Sequence, residues 1–494
     1  MNRSSGILLH ISSLPSPYGI GNMGKAARDF IDFLVEAKQR YWQILPISPT
    51  GYGDSPYQSA SAFAGNPYLI DPDALKEAGL LTDQDLEGAW GYDDSQTDYG
   101  LMYQRRLPML RKAFDRFQQN PDPAFDAFCQ AEQSWLDDYA LFMAVKARFG
   151  GGPWLNWDAD IRLRRPAAMK RYRKELAEEI RFQQWLQFVF FQQWQALRDY
   201  AKEKGISIIG DIPIYVPMDS ADVWSNPQNF QLNRYRHPKV VAGCPPDAFT
   251  ADGQLWGNPI YEWEKMEADG FSWWLQRIGA ATRFFDVVRI DHFRGIESYW
   301  SIPAHHKTAR HGHWVKGPGM ALIRAIKNAY PDAEFIAEDL GFLTPEVYAL
   351  VAESGFPSMK VLEFAFDSRE PSNYLPHNYN ENCICYTGTH DNLTLRQWYE
   401  ESSRNDLDRD YARKYMGITE GEDFCKSIIR LGMASKANLF MAQMQDYLNL
   451  GGEARMNEPG ILKPQNWRWR MLPGAATPEL AREIAAMTEE FQRV

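Results

Sequence analysis

Eight short apolar runs, separated by stretches of helical pattern, constrain the fold of this chain more than any other feature. The runs are rich in Val, Ile, Leu and Phe and lie at residues 6–15, 41–47, 206–216, 286–293, 334–341, 359–366, 383–392 and 437–448. Strand–helix–strand order predicts a parallel sheet, because parallel neighbours need a long crossover connection. Eight strands are more than a doubly wound sheet needs, so the pattern predicts an α/β fold of the (β/α)8 TIM barrel type.

The spacing between these runs leaves room for insertions. The chain has 494 residues, which suits a large barrel with insertions or two to three domains. We predict one catalytic barrel domain over residues 1–494, with a mainly helical insertion at 75–204 and a loop-rich insertion near the active site at 217–270. Aromatic residues recur at helical spacing in the first insertion, where core packing explains them. No separate C-terminal β domain is predicted.

Charge and composition argue against several classes of protein. The net charge of −11 disfavours nucleic acid or an anionic membrane as the main partner. No apolar run approaches about 20 residues, and the first residues lack the basic-then-apolar pattern of a secretion signal. The five cysteines show neither a paired framework nor metal-ligand spacing. Together these observations predict a reduced, cytoplasmic protein, whose oligomeric state the sequence leaves open.

One predicted strand, residues 286–293, carries two charged residues within its apolar run. Arg289 and Asp291 are two positions apart, so their side chains should lie on the same side of the strand. A guanidinium beside a carboxylate favours the ionised carboxylate. Because ion pairs rarely lie in a buried strand, the pair indicates either a structural salt bridge or a functional site.

Acidic residues recur towards the ends of the predicted strands. Asp211, Asp291 and Glu338 belong to the third, fourth and fifth strands, and Asp391 follows the seventh. The carboxyl ends of barrel strands meet at one rim, so these carboxylates should form an acidic pocket. Such a pocket costs too much electrostatically to serve packing alone. Clustered carboxylates suit either metal binding or acid–base chemistry on an uncharged substrate.

Metal and cofactor chemistry is the less favoured of these explanations. Only the adjacent His390 and Asp391 have ligand-like spacing, and the His-rich stretch at 305–313 is expected to be a solvated loop. The sequence has no G-x-S-x-G serine motif and no glycine-rich phosphate loop with its lysine. We therefore expect no cofactor and no metal. Carboxylates among aromatic residues, without cofactor motifs, point to chemistry on glycosidic bonds.

Several ordered motifs resemble those of a known family. RIDHF, AEDLG and TGTHDN resemble the catalytic strand-end motifs of the α-amylase superfamily. GDIPIYV, DSADVW, PPDAF, GQLWGNPIY, RMNEPG and NWRWR resemble its amylomaltase branch, the 4-α-glucanotransferases or disproportionating enzymes. The resemblance runs from SSGILLHISSLPSPYGIG to the C-terminal WRW segment and so covers nearly the whole chain.

The resemblance implies a role for each rim residue. Asp291 would be the nucleophile, Glu338 the general acid/base and Asp391 the stabiliser of the transition state. Arg289 would keep Asp291 ionised. The implied substrate contacts are ring stacking by Tyr57, hydroxyl contacts from His390 and Asp211, and a glucan groove lined by Gln254, Trp256 and Asn457.

The chain departs from the family pattern at one position. Some members carry a tyrosine between the Asp and Phe of PPDAF, where it touches the glucan chain as a lid. This chain has Ala248 there, which puts the lid contact in doubt.

The resulting hypothesis is an enzyme that moves an α-1,4-glucan segment from a donor to the 4-hydroxyl of an acceptor glucan or glucose. The implied partners are maltooligosaccharides and other α-1,4-glucans. A retaining double displacement would need the two catalytic carboxyls about 5–5.5 Å apart. Two alternatives stay open: a hydrolase with the same active site, and a non-catalytic glucan-binding protein, which would not need all three carboxylates. Donor and acceptor lengths and cyclic products are not predicted.

Overall fold

The structure is a computed structural model that describes residues 2–246, 250–341, 343–401, 406–419 and 421–494. Its strands are β1 Ser4–Leu8, β2 Tyr41–Gln43, β3 Ser207–Pro213, β4 Val240–Cys244, β5 Gln254–Pro259, β6 Val287–Asp291, β7 Ser298–Pro303, β8 His313–Lys316, β9 Glu334–Ala337, β10 Ser358–Val361, β11 Cys383–Tyr386 and β12 Leu439–Gln443.

The helices of the described residues connect these strands. They are α1 Lys25–Glu36, α2 Pro72–Glu77, α3 Asp83–Leu86, α4 Tyr99–Phe117, α5 Ala124–Ala131, α6 Gln133–Arg148, α7 Ala159–Arg162, α8 Pro166–Glu175, α9 Ala177–Glu203, α10 Ala221–Ser225, α11 Trp263–Ala268, α12 Ser272–Phe284, α13 Arg294–Glu297, α14 Met320–Ala329, α15 Pro345–Ser354, α16 Leu395–Glu400, α17 Asp406–Met416, α18 Phe424–Ala434, α19 Met444–Tyr447 and α20 Pro478–Glu490.

Eight parallel strands form the barrel, in the order β10-β11-β12-β1-β2-β3-β6-β9. The two outer strands of this order meet, because the Ala337 N–H at the end of β9 donates to the Pro357 carbonyl before β10 at 3.0 Å. Each of the eight predicted runs overlaps one barrel strand, so the predicted (β/α)8 fold is confirmed. The strands are shorter than the runs. Ile44 and Leu45, for example, are buried but lie beyond the end of β2.

Helices fill the chain between β2 and β3 and pack into the same core as the barrel. The long helix α9 contacts α6, α1 and β3. Its aromatic residues Trp185, Phe190 and Trp194 are buried in one continuous apolar cluster with barrel residues. Burial of these aromatic residues stabilises α9 more than its helical propensity does, because most helix stability in proteins comes from tertiary packing.

A second sheet lies beside the barrel and was not predicted. Strands β5, β4, β7 and β8 pair in that order, all antiparallel. Two of them, β4 and β5, occupy the segment 217–270 for which the sequence indicated loops. After β12 the described residues form helices, turns and an isolated bridge, with no further sheet. Among the residues that the structure describes, no helix is long and apolar enough to cross a membrane.

A buried arginine closes the N-terminal end of the barrel. The Arg493 guanidinium donates to the carbonyl oxygens of Ser4 at 2.9 Å, Met433 at 2.6 Å, Ser435 at 2.9 Å and Ala437 at 3.0 Å. Burial lowers the pKa of Arg493 to about 10, so it stays charged at neutral pH. The four carbonyls belong to the start of β1, the end of α18 and the turn before β12, so one side chain ties these elements together.

We expect Arg493→Leu to lower the free energy of unfolding by about 3 kcal/mol, because it removes the hydrogen bonds of a buried guanidinium to four carbonyls, of which only those of Met433 and Ser435 keep Arg3 as a second donor. The matched control is Arg430→Leu, which removes an arginine that pairs with Glu490 near the surface. Surface pairs contribute little, so this variant should unfold close to the parent protein. Urea unfolding followed by tryptophan fluorescence measures both; equal losses in the two variants would contradict the assignment.

Candidate active site

The register of the barrel strands brings the predicted carboxylates to one rim. Asp211 on β3 lies opposite Arg289 on β6, and Ile290 on β6 lies opposite Ala337 at the end of β9. The next residue along each of the latter two strands is acidic: Asp291 and Glu338. The parallel ladder therefore places these two carboxylates side by side at the C-terminal end of the barrel.

Arg289 forms a buried ion pair with two of the carboxylates. Its Nη1 lies 2.6 Å from Asp211 Oδ2 and 3.0 Å from Asp291 Oδ1. The side chains of Arg289 and Asp291 therefore share one side of β6, as the two-residue spacing predicted. Burial raises the pKa of Asp291 to about 6, although the Arg289 guanidinium opposes the shift. At neutral pH Asp291 is thus mainly ionised.

Glu338 lies in a different electrostatic environment. Burial and, second to it, the Asp291 carboxylate raise the pKa of Glu338 to about 8. Two backbone N–H groups fix its carboxyl group: that of His292 donates to Oε2 at 2.7 Å and that of Leu340 to Oε1 at 2.9 Å. The neighbouring Asp339 accepts from the Met359 N–H at 2.7 Å on the adjacent strand β10. At neutral pH Glu338 is mainly protonated.

Asp391 is the most open of the rim carboxylates, with a side chain that is 43% exposed. Asn457 Nδ2 donates to Asp391 Oδ1 at 2.6 Å, and Arg455 donates to the Asp391 carbonyl at 2.9 Å. His390 Nε2 lies 3.4 Å from the same Oδ1. Asp391 is held in place on one side by Asn457 while its exposed edge stays free for a ligand.

Tyr57 contacts both a buried carboxylate and the aromatic rings of the site. Its hydroxyl donates to Asp211 Oδ2 at 2.6 Å, and its ring stacks on His390 with centroids 5.0 Å apart. Trp467 packs beside both rings, at 5.8 Å from each. Asp211 is only 2% exposed, and its Oδ1 is buried without a hydrogen-bond partner among the described residues. A direct sugar contact from Asp211 would have to use that atom.

Gln254 and Trp256, both on β5, lie on the Glu338 side of the site. Trp256 Nε1 donates to Gln254 Oε1 at 3.1 Å. The edge of the Trp256 ring meets the His292 ring, with centroids 4.8 Å apart. The second sheet therefore brings both predicted groove residues next to the segment that holds Glu338.

Some residues of the site were not predicted from the sequence. His292 contributes through its backbone N–H and has a positive φ of 51°, which the RIDHF motif does not reveal. Trp467 lies within the NWRWR motif but was assigned no role. Ala248, the position of the doubtful lid contact, lies outside the described residues.

The described residues contain no group of three or more His, Cys, Asp or Glu side chains placed to hold a metal ion. The His-rich stretch forms the connection between β7 and β8 and the first residue of β8.

Comparisons with known proteins match almost the whole chain. A family model described as 4-alpha-glucanotransferase matches residues 9–475. The 4-alpha-glucanotransferase of Clostridium butyricum is 48% identical, over 98% of this chain and 100% of the relative. That of Thermus thermophilus is 48% identical, over 100% and 99%. The structure of an amylomaltase from Streptococcus agalactiae in complex with acarbose superposes with a TM-score of 0.96 at 40% identity and 99% coverage of both chains.

Proposed function

The chain belongs to the 4-alpha-glucanotransferase family and is an enzyme with that activity, and we propose that it transfers α-1,4-glucan segments by a retaining double displacement through Asp291. The observation that carries the mechanism is the difference between two adjacent carboxyl groups. Asp291 is ionised beside Arg289, whereas Glu338 is protonated at neutral pH. A nucleophile and a proton donor are the two groups that this reaction requires.

In the first step the Asp291 carboxylate attacks the anomeric carbon of the donor. The bond to the leaving glucan oxygen breaks, and Glu338 gives its proton to that oxygen. The product is an ester between Asp291 and the donor segment, with Glu338 ionised. In the second step Glu338 takes the proton of the acceptor 4-hydroxyl, whose oxygen displaces Asp291 and restores the linkage with its original configuration.

We assign the remaining rim residues to binding. Asp391, oriented by Asn457, would accept hydrogen bonds from sugar hydroxyls and stabilise the transition state. Tyr57 would stack on the sugar at the reacting position, and His390 would donate to its hydroxyls. Asp211 orients Tyr57 and Arg289, and a sugar hydroxyl would bind it directly only by reaching the buried Oδ1. Gln254 and Trp256, beside Glu338, would bind the leaving and incoming glucan.

The donor and acceptor are maltooligosaccharides or other α-1,4-glucans in this proposal. We also propose a cytoplasmic location. Cys129, Cys383, Cys385 and Cys425 support it because none of them forms a disulfide, and thiols persist in reducing compartments.

We expect purified protein with maltotriose, and no added metal or cofactor, to give glucose together with a ladder of longer maltooligosaccharides. Transfer to a second maltotriose lengthens chains, whereas transfer to water only shortens them. Chromatography that resolves chain length measures the products. Shorter sugars alone would identify a hydrolase with the same site, and unchanged maltotriose would favour a binding protein.

We expect Asp291→Asn and Glu338→Gln each to lower kcat with maltotriose by about 10³-fold or more, because each removes a group that forms or breaks a bond. The Glu338→Gln variant should keep most of the fluoride released in the first turnover of α-glucosyl fluoride, whose leaving group needs no proton. Later turnovers should be slow, because no base activates the acceptor that cleaves the ester. Asp339→Asn is the matched control, since it removes a neighbouring carboxylate bound to a β10 amide. A control as inactive as Asp291→Asn, with its fold intact, would refute the assignment.

We expect a bell-shaped dependence of kcat/KM on pH, with its maximum near pH 7. Activity should fall below pH 6, as Asp291 becomes protonated and loses its nucleophilicity, and above pH 8, as Glu338 loses the proton it must donate. Initial rates with maltotriose between pH 4 and pH 10 measure the profile. If kcat/KM stayed constant down to pH 4, the result would contradict the raised pKa of Asp291. If it stayed constant up to pH 10, the result would contradict the raised pKa of Glu338.

A further inference from the structure

The loop between β7 and β8, residues 304–312, contacts the turn that precedes β5. The Ala309 N–H donates to the Asp252 carbonyl at 3.0 Å. Arg310 Nε donates to the Ala251 carbonyl at 3.2 Å and lies 2.5 Å from the Asp252 carboxylate. Two successive residues of the loop thus hold two successive residues of the turn, through both backbone and side-chain contacts.

The turn at residues 250–253 has little freedom to move. The Gly253 N–H donates to the Thr250 carbonyl at 3.1 Å, and Gly253 has a positive φ of 66°. A Cβ at this position would lie 2.4 Å from the Cys244 carbonyl oxygen and 2.8 Å from the Ala309 Cβ. The turn is therefore packed between the end of β4 on one side and the loop 304–312 on the other.

The loop itself is anchored on the second sheet. Ala309 is fully buried in a small apolar cluster with Val241 and Ile302, and Trp300 Nε1 donates to its carbonyl at 2.9 Å. The Ala304 N–H donates to the Lys239 carbonyl at 3.1 Å. A loop fixed at both its start and its middle can hold a neighbouring turn in place, even though several of its side chains are exposed.

The position of the turn decides where the substrate-facing end of β5 lies. Gln254 follows Gly253 directly, and its side chain accepts the hydrogen bond of Trp256. Trp256 meets the ring of His292, whose N–H holds Glu338. Contacts therefore run without interruption from the loop 304–312 to the side of the acid/base where the leaving glucan departs and the acceptor enters.

We propose that Arg310 is a positioning residue for the acceptor step, which acts by holding the turn 250–253 and with it Gln254 and Trp256. The inference rests on the proposed function, since it needs Glu338 to be the acid/base. It predicts an effect on acceptor binding and on competition with water, but not on formation of the ester at Asp291. The acceptor must outcompete water, and groups that bind it in the correct place favour transfer.

The size of the effect follows from the exposure of the pair. The side chains of Arg310 and Asp252 are each more than half exposed, so their attraction is modest and is screened by salt. We expect Arg310→Gln to raise the glucose concentration for half-maximal transfer by about threefold and to raise the share of hydrolysis. The rate of fluoride release in the first turnover of α-glucosyl fluoride, which reports formation of the ester alone, should not change. Arg310→Lys, which keeps the charge, should recover part of the loss.

The matched control is Lys307→Gln, which removes the same charge from the same loop at an exposed side chain. It should leave both acceptor dependence and hydrolysis unchanged. Gly253→Ala provides a second variant, because its Cβ would push the turn away from Ala309, and it should shift acceptor dependence further than Arg310→Gln does. Circular dichroism and the first-turnover rate of fluoride release check that the Arg310→Gln and Gly253→Ala variants fold.

Two outcomes would overturn the proposal. The first is an Arg310→Gln enzyme with unaltered acceptor dependence and an unaltered share of hydrolysis. The second is an equal loss in acceptor binding and in fluoride release, which would indicate a general structural defect. Absence of transfer in the parent enzyme would instead refute the proposed function, so the two failures are distinguishable.

Discussion

The charge of the active site depends on one buried guanidinium, that of Arg289, which is 3% exposed. A buried cation is tolerated when hydrogen-bond acceptors or anionic partners compensate its desolvation. Asp211 and Asp291 supply this compensation from two neighbouring strands, β3 and β6, at distances that the parallel register fixes. The same contact keeps Asp291 ionised and joins the two strands at the rim. The ionisation of Asp291 and the pairing of β3 with β6 therefore depend on the same ion pairs of Arg289.

The protonation of Glu338 follows from that arrangement. Asp291 carries its negative charge beside Arg289, and this charge disfavours a second one at Glu338. The two backbone N–H groups that contact Glu338 favour its carboxylate, but burial outweighs them. Such a balance suits a group that must hold a proton in one step and lose it in the next. The Glu338 carboxyl group keeps its orientation with and without its proton, because the two N–H groups that hold it are part of the backbone.

The barrel and its rim carboxylates could be predicted because they rest on simple periodicity. Side chains alternate along a strand, so Arg289 and Asp291 had to lie on one side of β6. The second sheet could not be predicted this way. Strand β4 is a run of only five residues that contains a glycine, and β5 contains glycine and proline among polar residues. The contribution of His292 is also invisible in the sequence, because a backbone N–H is common to nearly every residue. Its placement depends on tertiary contacts that bring β6 and β9 together.

Arg493 has a consequence for the order in which the molecule can assemble. It bonds to the Ser4 carbonyl, 489 positions away along the chain, and β12 pairs with β1 across a similar separation. Contacts this distant must overcome a large loss of chain entropy and form late in folding. During synthesis the first strand therefore emerges long before its partners on one side exist. Until β12 has been synthesised, β1 has an unpaired edge that could pair with the strands of other chains.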